Sequence, residues 1–82
     1  MSYEKVLQAN DLIIGTKQTL KALDDGNVSK VIIARDAEYR VIYKVEALAK
    51  TKDIPLVYVD SMKKLGKACG IEVGAATVAL RK

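Results

Sequence analysis

A glycine that opens a polar helical segment is the first feature whose residue types could do chemistry. Residues Gly15–Lys21 read Gly-Thr-Lys-Gln-Thr-Leu-Lys. Gly15 would let another backbone approach closely, and the free amides of a first helical turn form an anion site that the helix dipole assists. Lys17, Gln18 and Lys21 share one helix face because positions three and four apart adjoin.

This face offers two cations and an amide, which could contact the phosphates and base edges of a nucleic acid. The major groove of regular duplex RNA is too narrow for such reading, so an RNA target would be a distorted helix or a loop. The simpler alternative, which the pattern alone favours, is the ordinary solvated face of a surface helix.

A second candidate site combines a lysine cluster with a short loop. The loop from Gly70 to Gly74 carries two apolar residues, Ile71 and Val73, with Glu72 between them. Apolar loop residues either fold back into the core or contact a ligand, and the pattern alone favours the core for each of these two. Glu72 could order the loop. The lysines project outward from the preceding predicted helix as candidate phosphate contacts, and they are Lys63, Lys64 and Lys67.

The composition disfavours catalysis and metal binding. The chain has no histidine and one cysteine, so a zinc site is not expected, and no segment matches a P-loop or a dinucleotide fingerprint. Cys69 lies on the inward stripe of a predicted helix and is interpreted as a small core residue. We expect no enzyme, no cofactor and no metal. Four tyrosines are the only aromatic residues, so the chain has few side chains on which the bases of a single strand could stack.

Charge and length point to a small cytoplasmic domain with an anionic partner. Fourteen Lys and Arg against ten Asp and Glu give a net charge of +4, and the excess lies in the second half of the chain. The 82 residues fit one domain, without a linker or repeat. No apolar run is long enough to span a membrane, and no secretory signal is visible, so a cytoplasmic location is expected.

The pattern of apolar and polar residues predicts helices alternating with buried strands. Asp36 is expected to cap a helix that buries Val41, Val45, Leu48 and Ala49. Ser61 is expected to cap the helix that buries Met62, Leu65, Ala68 and Cys69. The predicted helices cover a segment after Ser2, 16–23, 36–52 and 61–70, and the predicted strands cover 12–14, 31–34, 56–59 and 75–80.

A strand, a helix and a strand within about thirty residues form a βαβ unit, so the strands at 31–34 and 56–59 should be parallel. The alternation as a whole predicts the α/β class, as a three-layer α/β/α sandwich with a four-stranded mixed sheet.

The two candidate segments also carry a family resemblance. Ile14–Lys21 is similar to the G-x-N-E-x-x-K signature of the kink-turn RNA-binding ribosomal proteins of the L7Ae type, and Leu65–Val73 resembles their L-G-x-A-x-G-I-E-V signature. Val31–Asp36 and Ile54–Val59 resemble their two middle strands. The resemblance covers essentially the whole chain in order and is strongest to the short bacterial members.

The resemblance implies a protein that binds RNA kink-turns, in which a bulge sharply bends a duplex flanked by sheared G·A pairs. In this family the start of one helix docks on those pairs, and a later loop covers the bulge. Carried over by position, Gly15 admits the RNA backbone and Thr16 begins the contact helix. The remaining RNA-binding positions are Lys17 and Gln18 for guanines, Lys21 for a phosphate or base, and Ile71, Glu72 and Val73 for the extruded nucleotide.

One departure from the family pattern predicts weaker and more salt-sensitive binding. Lys17 and Gln18 stand where archaeal and eukaryotic members have Asn-Glu. An amide lacks the charge-assisted acceptance of guanine N–H groups that a carboxylate provides, whereas a lysine adds attraction to phosphate. Asp24 and Asp25, which follow the helix, would repel a nearby phosphate backbone.

The expected partner is a kink-turn RNA, such as one in ribosomal RNA or a riboswitch, and the expected state is a monomer with no membrane partner. Ribosome association is compatible with the resemblance. Two other functional hypotheses stay open. One is a protein-interaction module on the same fold, and the other is a small enzyme that acts on a phosphorylated metabolite at the Gly15 helix terminus.

Overall fold

A computed structural model describes residues 11–82, so the helix predicted after Ser2 lies outside the described residues. In chain order the strands are β1 Leu12–Ile14, β2 Val28–Ala34, β3 Leu56–Val59 and β4 Thr77–Arg81. The helices between them are α1 Thr16–Asp25, α2 Tyr39–Thr51 and α3 Met62–Ala68. No helix within residues 11–82 is long and apolar enough to cross a membrane.

The four strands form one mixed sheet in the order β1-β4-β2-β3. Strand β2 pairs in parallel with β3, with Val31 opposite Leu56, as the βαβ pattern predicts. Strand β4 runs antiparallel to both of its neighbours, β1 and β2. The last residues of β1, β2 and β3 and the first residue of β4 therefore lie at one edge of the sheet. We call this the helix-start edge, since α1, α2 and α3 follow directly from it.

Two apolar clusters on opposite faces of the sheet make the three layers. Alternate residues of β2 divide between them, because successive side chains of a strand point to opposite faces. Val31 and Ile33 join the cluster covered by α1 and α2, whereas Ile32 and Ala34 join the one covered by α3. All four are fully buried. The predicted α/β/α sandwich with a four-stranded mixed sheet is confirmed.

The start and the buried face of α2 differ from the sequence prediction. Asp36 is not the N-cap: the helix begins at Tyr39, and the Asp36 carboxylate accepts a hydrogen bond of 2.8 Å from the Met62 amide at the start of α3. Val41 is 40% exposed, whereas Ile42 is only 6% exposed and packs in the core. A helix places adjacent residues about 100° apart, so the sheet contact selects Ile42 and excludes its neighbour.

Helix α3 follows its prediction closely. The Ser61 hydroxyl accepts a hydrogen bond from the Lys64 amide, which confirms it as the N-cap. Leu65 is fully buried, and the other three predicted inward residues pack against the same cluster. Strand β4 begins at Thr77 rather than Ala75, because the Ala75 amide donates to the Met62 carbonyl at 3.0 Å instead of joining the sheet.

Candidate functional site

Gly15 forms the junction between β1 and α1 in a backbone conformation that favours glycine. Its φ is 103° and its ψ is 151°, a region that side-chain-bearing residues rarely occupy. Its amide donates to the Thr77 carbonyl at 2.9 Å, which fixes the junction to β4. A Cβ built on Gly15 would meet no other atom within 4 Å, and no side chain caps the helix. The start of α1 is therefore open to an approaching ligand.

Thr16 contributes to this junction through internal contacts. Its hydroxyl donates to the hydroxyl of Thr77 at 3.4 Å across the start of β4. Thr77 and Thr19 are both fully buried, and the Thr19 hydroxyl has no hydrogen-bond partner among the described residues. The threonine side chains next to Gly15 thus point into the fold, and none of them caps the backbone amides at the start of α1.

The structure brings Gln18 and Lys21 together on the exposed side of α1. Both line a surface depression of about 210 Å³ between α1 and the end of β4. Lys17 is exposed on the same helix but does not line the depression. The polar groups beside them come partly from residues with no predicted role. The complete lining is Ile13, Gln18, Lys21, Ala22, Asp25, Asn27 and Arg81.

Arg81 is the lining residue that sequence reasoning missed. Its guanidinium pairs with the Asp11 carboxylate at 3.0 Å, and both side chains remain well exposed. Asp25 lines the same depression and brings negative charge to it, in keeping with the repulsion predicted for that end of the helix. No local sequence pattern predicts that Arg81 lies here, because only the pairing of β1 with β4 brings the end of the chain beside α1.

The loop after α3 divides its apolar residues between core and solvent. Ile71 is partly buried against the α3 cluster, as the pattern alone predicts. Val73 is 70% exposed, so the prediction of a core role for it is wrong. Glu72 between them is also exposed. The loop therefore presents a carboxylate and an isopropyl group to solvent.

A close backbone contact holds this loop against α3. The carbonyl group of Val73 fills the space beside Gly66, where a side chain would otherwise stand. The Ile71 amide donates to the Gly66 carbonyl at 3.0 Å. Gly66 lies within a signature of the family resemblance but received no role from the sequence. Its signal was a glycine inside a predicted helix, a position where glycine is otherwise unfavourable.

The loop and the start of α1 meet at the helix-start edge. Just beyond the loop, the Ala76 carbonyl accepts from the Ala34 amide at 2.9 Å, and the Thr77 carbonyl accepts from Gly15 at 2.9 Å. These bonds tie the loop end to β1 and β2 at once. Two segments more than fifty residues apart in sequence, the Gly15 junction and the Gly70–Gly74 loop, thus flank the same edge.

The three predicted phosphate-contact lysines are exposed but not equivalent. The Lys64 ammonium lies 3.3 Å from the Asp60 carboxylate, one turn earlier, which reduces the net charge at that position. Lys63 and Lys67 are four residues apart and thus lie on one side of α3, where they leave two cations facing solvent.

Within residues 11–82, Tyr58 and Cys69 have shifted pKa values, and neither side chain is set up for catalysis. The pKa of Tyr58 is raised to about 12, first because its hydroxyl donates to the Glu46 carboxylate and second because it is partly buried. Burial raises the pKa of the Cys69 thiol, which makes it a poor nucleophile and fits its assignment to the core. No group of three or more potential metal ligands occurs among residues 11–82.

The chain is similar to known proteins over almost its whole length. The model of the Ribosomal protein L7Ae/L30e/S12e/Gadd45 family matches residues 2–82. "RNA-binding protein BH0128" of Halalkalibacterium halodurans is 73% identical over the full length of both chains. "RNA-binding protein YbxF" of Geobacillus stearothermophilus is 59% identical over 98% of each chain. The solved structure of a Giardia lamblia 15.5kD RNA binding protein superposes with a TM-score of 0.87 at 25% identity, over 98% of this chain and 68% of the other.

Proposed function

Because the chain belongs to the ribosomal protein L7Ae/L30e/S12e/Gadd45 family, we propose that it binds RNA and recognises and stabilises the kink-turn, without catalysis. Relatives that share 73% and 59% of its residues carry the name RNA-binding protein, which supports RNA as the ligand class. The kink-turn is the finer part of the proposal and rests on the two signature segments.

The observation that carries the proposal is the meeting of the Gly15 junction and the Gly70–Gly74 loop at the helix-start edge. The Gly15–Thr77 hydrogen bond of 2.9 Å links the first residue of β4, three residues after the loop, to the start of α1. A sharply bent RNA can place its paired region on α1 and its bulge under the loop, and the bend also widens the groove enough for base edges to be reached.

Each element has a distinct task in this proposal. The uncapped amides of α1 receive phosphate or guanine acceptors, with Lys17 and Gln18 at the sheared G·A pairs. Lys21 contacts a phosphate or base beside them. Ile71 supports the loop from the core, while Glu72 and the exposed Val73 face the extruded nucleotide. Lys63 and Lys67 add phosphate contacts along α3.

The test is titration of the protein into a kink-turn RNA at two salt concentrations. The same two stems without the bulge serve as the RNA control. We expect tighter binding to the kinked RNA, and we expect Gln18→Ala and Lys21→Gln to reduce that preference. Lys52→Gln is the matched charge control, because Lys52 is exposed at the C-terminal end of α2, away from the helix-start edge where the RNA is proposed to bind. If both RNAs bind equally well and the higher salt concentration abolishes binding of both, the site is only a general basic patch. That result would contradict the proposal.

We further propose that the protein is a cytoplasmic monomer, with ribosomal RNA or a riboswitch as the source of the kink-turn. Light scattering at micromolar protein concentration measures the molar mass and so tests the monomeric state. Sedimentation of cell extract through a sucrose gradient tests ribosome association. A protein that stays at the top of the gradient while binding kink-turns in solution would place the target RNA outside the ribosome.

A further inference from the structure

The outward face of α2 gathers two of the four tyrosines of the chain. Tyr39 is 71% exposed and Tyr43 is 41% exposed. Their ring centroids are 5.9 Å apart, and the ring planes make an angle of 31°. The two rings are neighbours because residues four positions apart lie one helical turn apart on the same face. The low aromatic content of the sequence argues against base stacking, yet the fold places these two rings side by side in solvent.

Cations flank this aromatic pair. Arg40 and Lys44 follow Tyr39 and Tyr43 by one residue each, and Lys50 continues the line of the tyrosines three turns along, since eleven residues complete about three turns. We call these five residues the α2 outer face: Tyr39, Arg40, Tyr43, Lys44 and Lys50.

The nearby carboxylates are already engaged. Glu38 pairs with the Arg40 guanidinium at 2.6 Å. Glu46 lies on the line of the tyrosines, seven residues after Tyr39, and its carboxylate accepts a hydrogen bond from the Tyr58 hydroxyl of β3. Lys44 and Lys50 make no ion pair within residues 11–82. Exposed rings with cations beside them complement an RNA strand, because bases stack on aromatic rings while phosphates pair with lysine and arginine.

The α2 outer face begins close to the proposed kink-turn site. Strands β1 and β2 are separated only by β4, so their ends lie about 10 Å apart at the usual strand spacing. Tyr39 follows the end of β2 and Gly15 the end of β1, and α1 and α2 pack beside one another on the same face of the sheet. Tyr39 lies on the β3 side of α2, since it interacts electrostatically with Tyr58, and β3 is about 15 Å from β1 at the usual strand spacing. An RNA strand of several nucleotides that leaves the start of α1 can span this distance.

We propose that the α2 outer face binds a single-stranded RNA segment that flanks the kink-turn, with bases stacked on Tyr39 and Tyr43 and phosphates on Lys44 and Lys50. This inference rests on the proposed function and extends its footprint. Single-stranded RNA is the occupant, since paired bases hide their faces within the helix stack.

The experiment compares one kink-turn RNA with blunt stems and the same RNA with a single-stranded extension of about eight nucleotides, made in separate versions at each stem end. We expect one of the extensions to tighten binding of the wild-type chain by about fivefold or more. The double variant Tyr39→Ala/Tyr43→Ala should lose this gain while binding the blunt RNA as the wild type does. Lys44→Gln should lower the salt dependence on the extended RNA by about 0.7 in log–log slope.

Val41→Ala is the matched control on the same helix. Val41 is 40% exposed, like Tyr43, but lies away from the tyrosine line, so its loss should leave the extension gain intact. The inference is overturned if neither extension tightens binding, or if the tyrosine variant keeps the gain. A failure of the kink-turn proposal looks different, because blunt kinked and bulge-free RNAs would then bind equally, whatever an extension adds.

Discussion

The carbonyl group of Val73 occupies the space that a side chain on Gly66 would need. Its carbon atom lies 3.0 Å from the ideal Cβ position on Gly66, and its oxygen is closer still. The obstacle is backbone, which cannot move aside as a flexible side chain would. The loop that presents Glu72 and Val73 is thus set by a glycine inside α3, six and seven residues earlier.

Gly66→Ala should therefore displace the loop. We expect the free energy of unfolding to fall by about 1–3 kcal/mol from overpacking and the affinity for kink-turn RNA to fall beyond what partial unfolding explains. Urea denaturation and RNA titration measure the two effects. Gly26→Ala is the control, because Gly26 has a positive φ of 76° at the end of α1 but open space around it. That variant should lose stability and keep its affinity. Equal affinity losses in the two variants would contradict the role assigned to Gly66.

The double variant Lys17→Asn/Gln18→Glu tests the departure from the family pattern. The new carboxylate would accept charge-assisted hydrogen bonds from guanine, so binding to a kink-turn should tighten by about 1 kcal/mol at high salt. The salt dependence should become shallower because a cation is lost. Titration at several salt concentrations measures both effects. Binding that weakens at every salt concentration would show that these positions do not face guanines.

The bond between Tyr58 and Glu46 should make stability depend on pH in the alkaline range. Folding raises the Tyr58 pKa from its usual 10.0 to about 12. The contribution of this bond is then fully present below pH 10 and is lost as the pH rises through 12. The free energy of unfolding of the wild type should fall more steeply between pH 10 and 12 than that of Tyr58→Phe. Taking the difference in the free energy of unfolding between the two proteins at each pH cancels the contribution of the lysines, which titrate in the same range. Parallel curves would mean that the bond adds nothing to stability.

Cys69 should react slowly in the folded protein. Burial raises its pKa, so little thiolate forms near pH 8, and the side chain packs against the α3 cluster. Alkylation by iodoacetamide, followed by mass spectrometry, should be several times slower in buffer than in urea. Equal rates would mean that this end of α3 opens readily.

Within residues 11–82, local patterns were enough to predict the order of helices and strands and the parallel pairing of β2 with β3. The β-branched run Val31–Ile33 and the turn residues between elements act within a few residues, and the strand–helix–strand connection has one favoured geometry. The Ser61 cap is equally local, because its partner is the Lys64 amide three residues later. The polar, exposed character of Lys17, Gln18 and Lys21 also followed from helical spacing.

Tertiary structure decided how these pieces combine. The exact buried face of α2 depended on the sheet it meets, so Ile42 rather than Val41 entered the core. Asp36 was expected to cap α2 but bonds to the start of α3, a partner distant in sequence. The pairing of β1 with β4 brought Arg81 beside Gln18 and Lys21. The hydrogen bond from Gly15 to Thr77 joined the start of α1 to the start of β4, just after the loop. Each of these contacts links residues far apart in the chain, and their geometry exists only once the strands have paired and the helices have packed on the sheet.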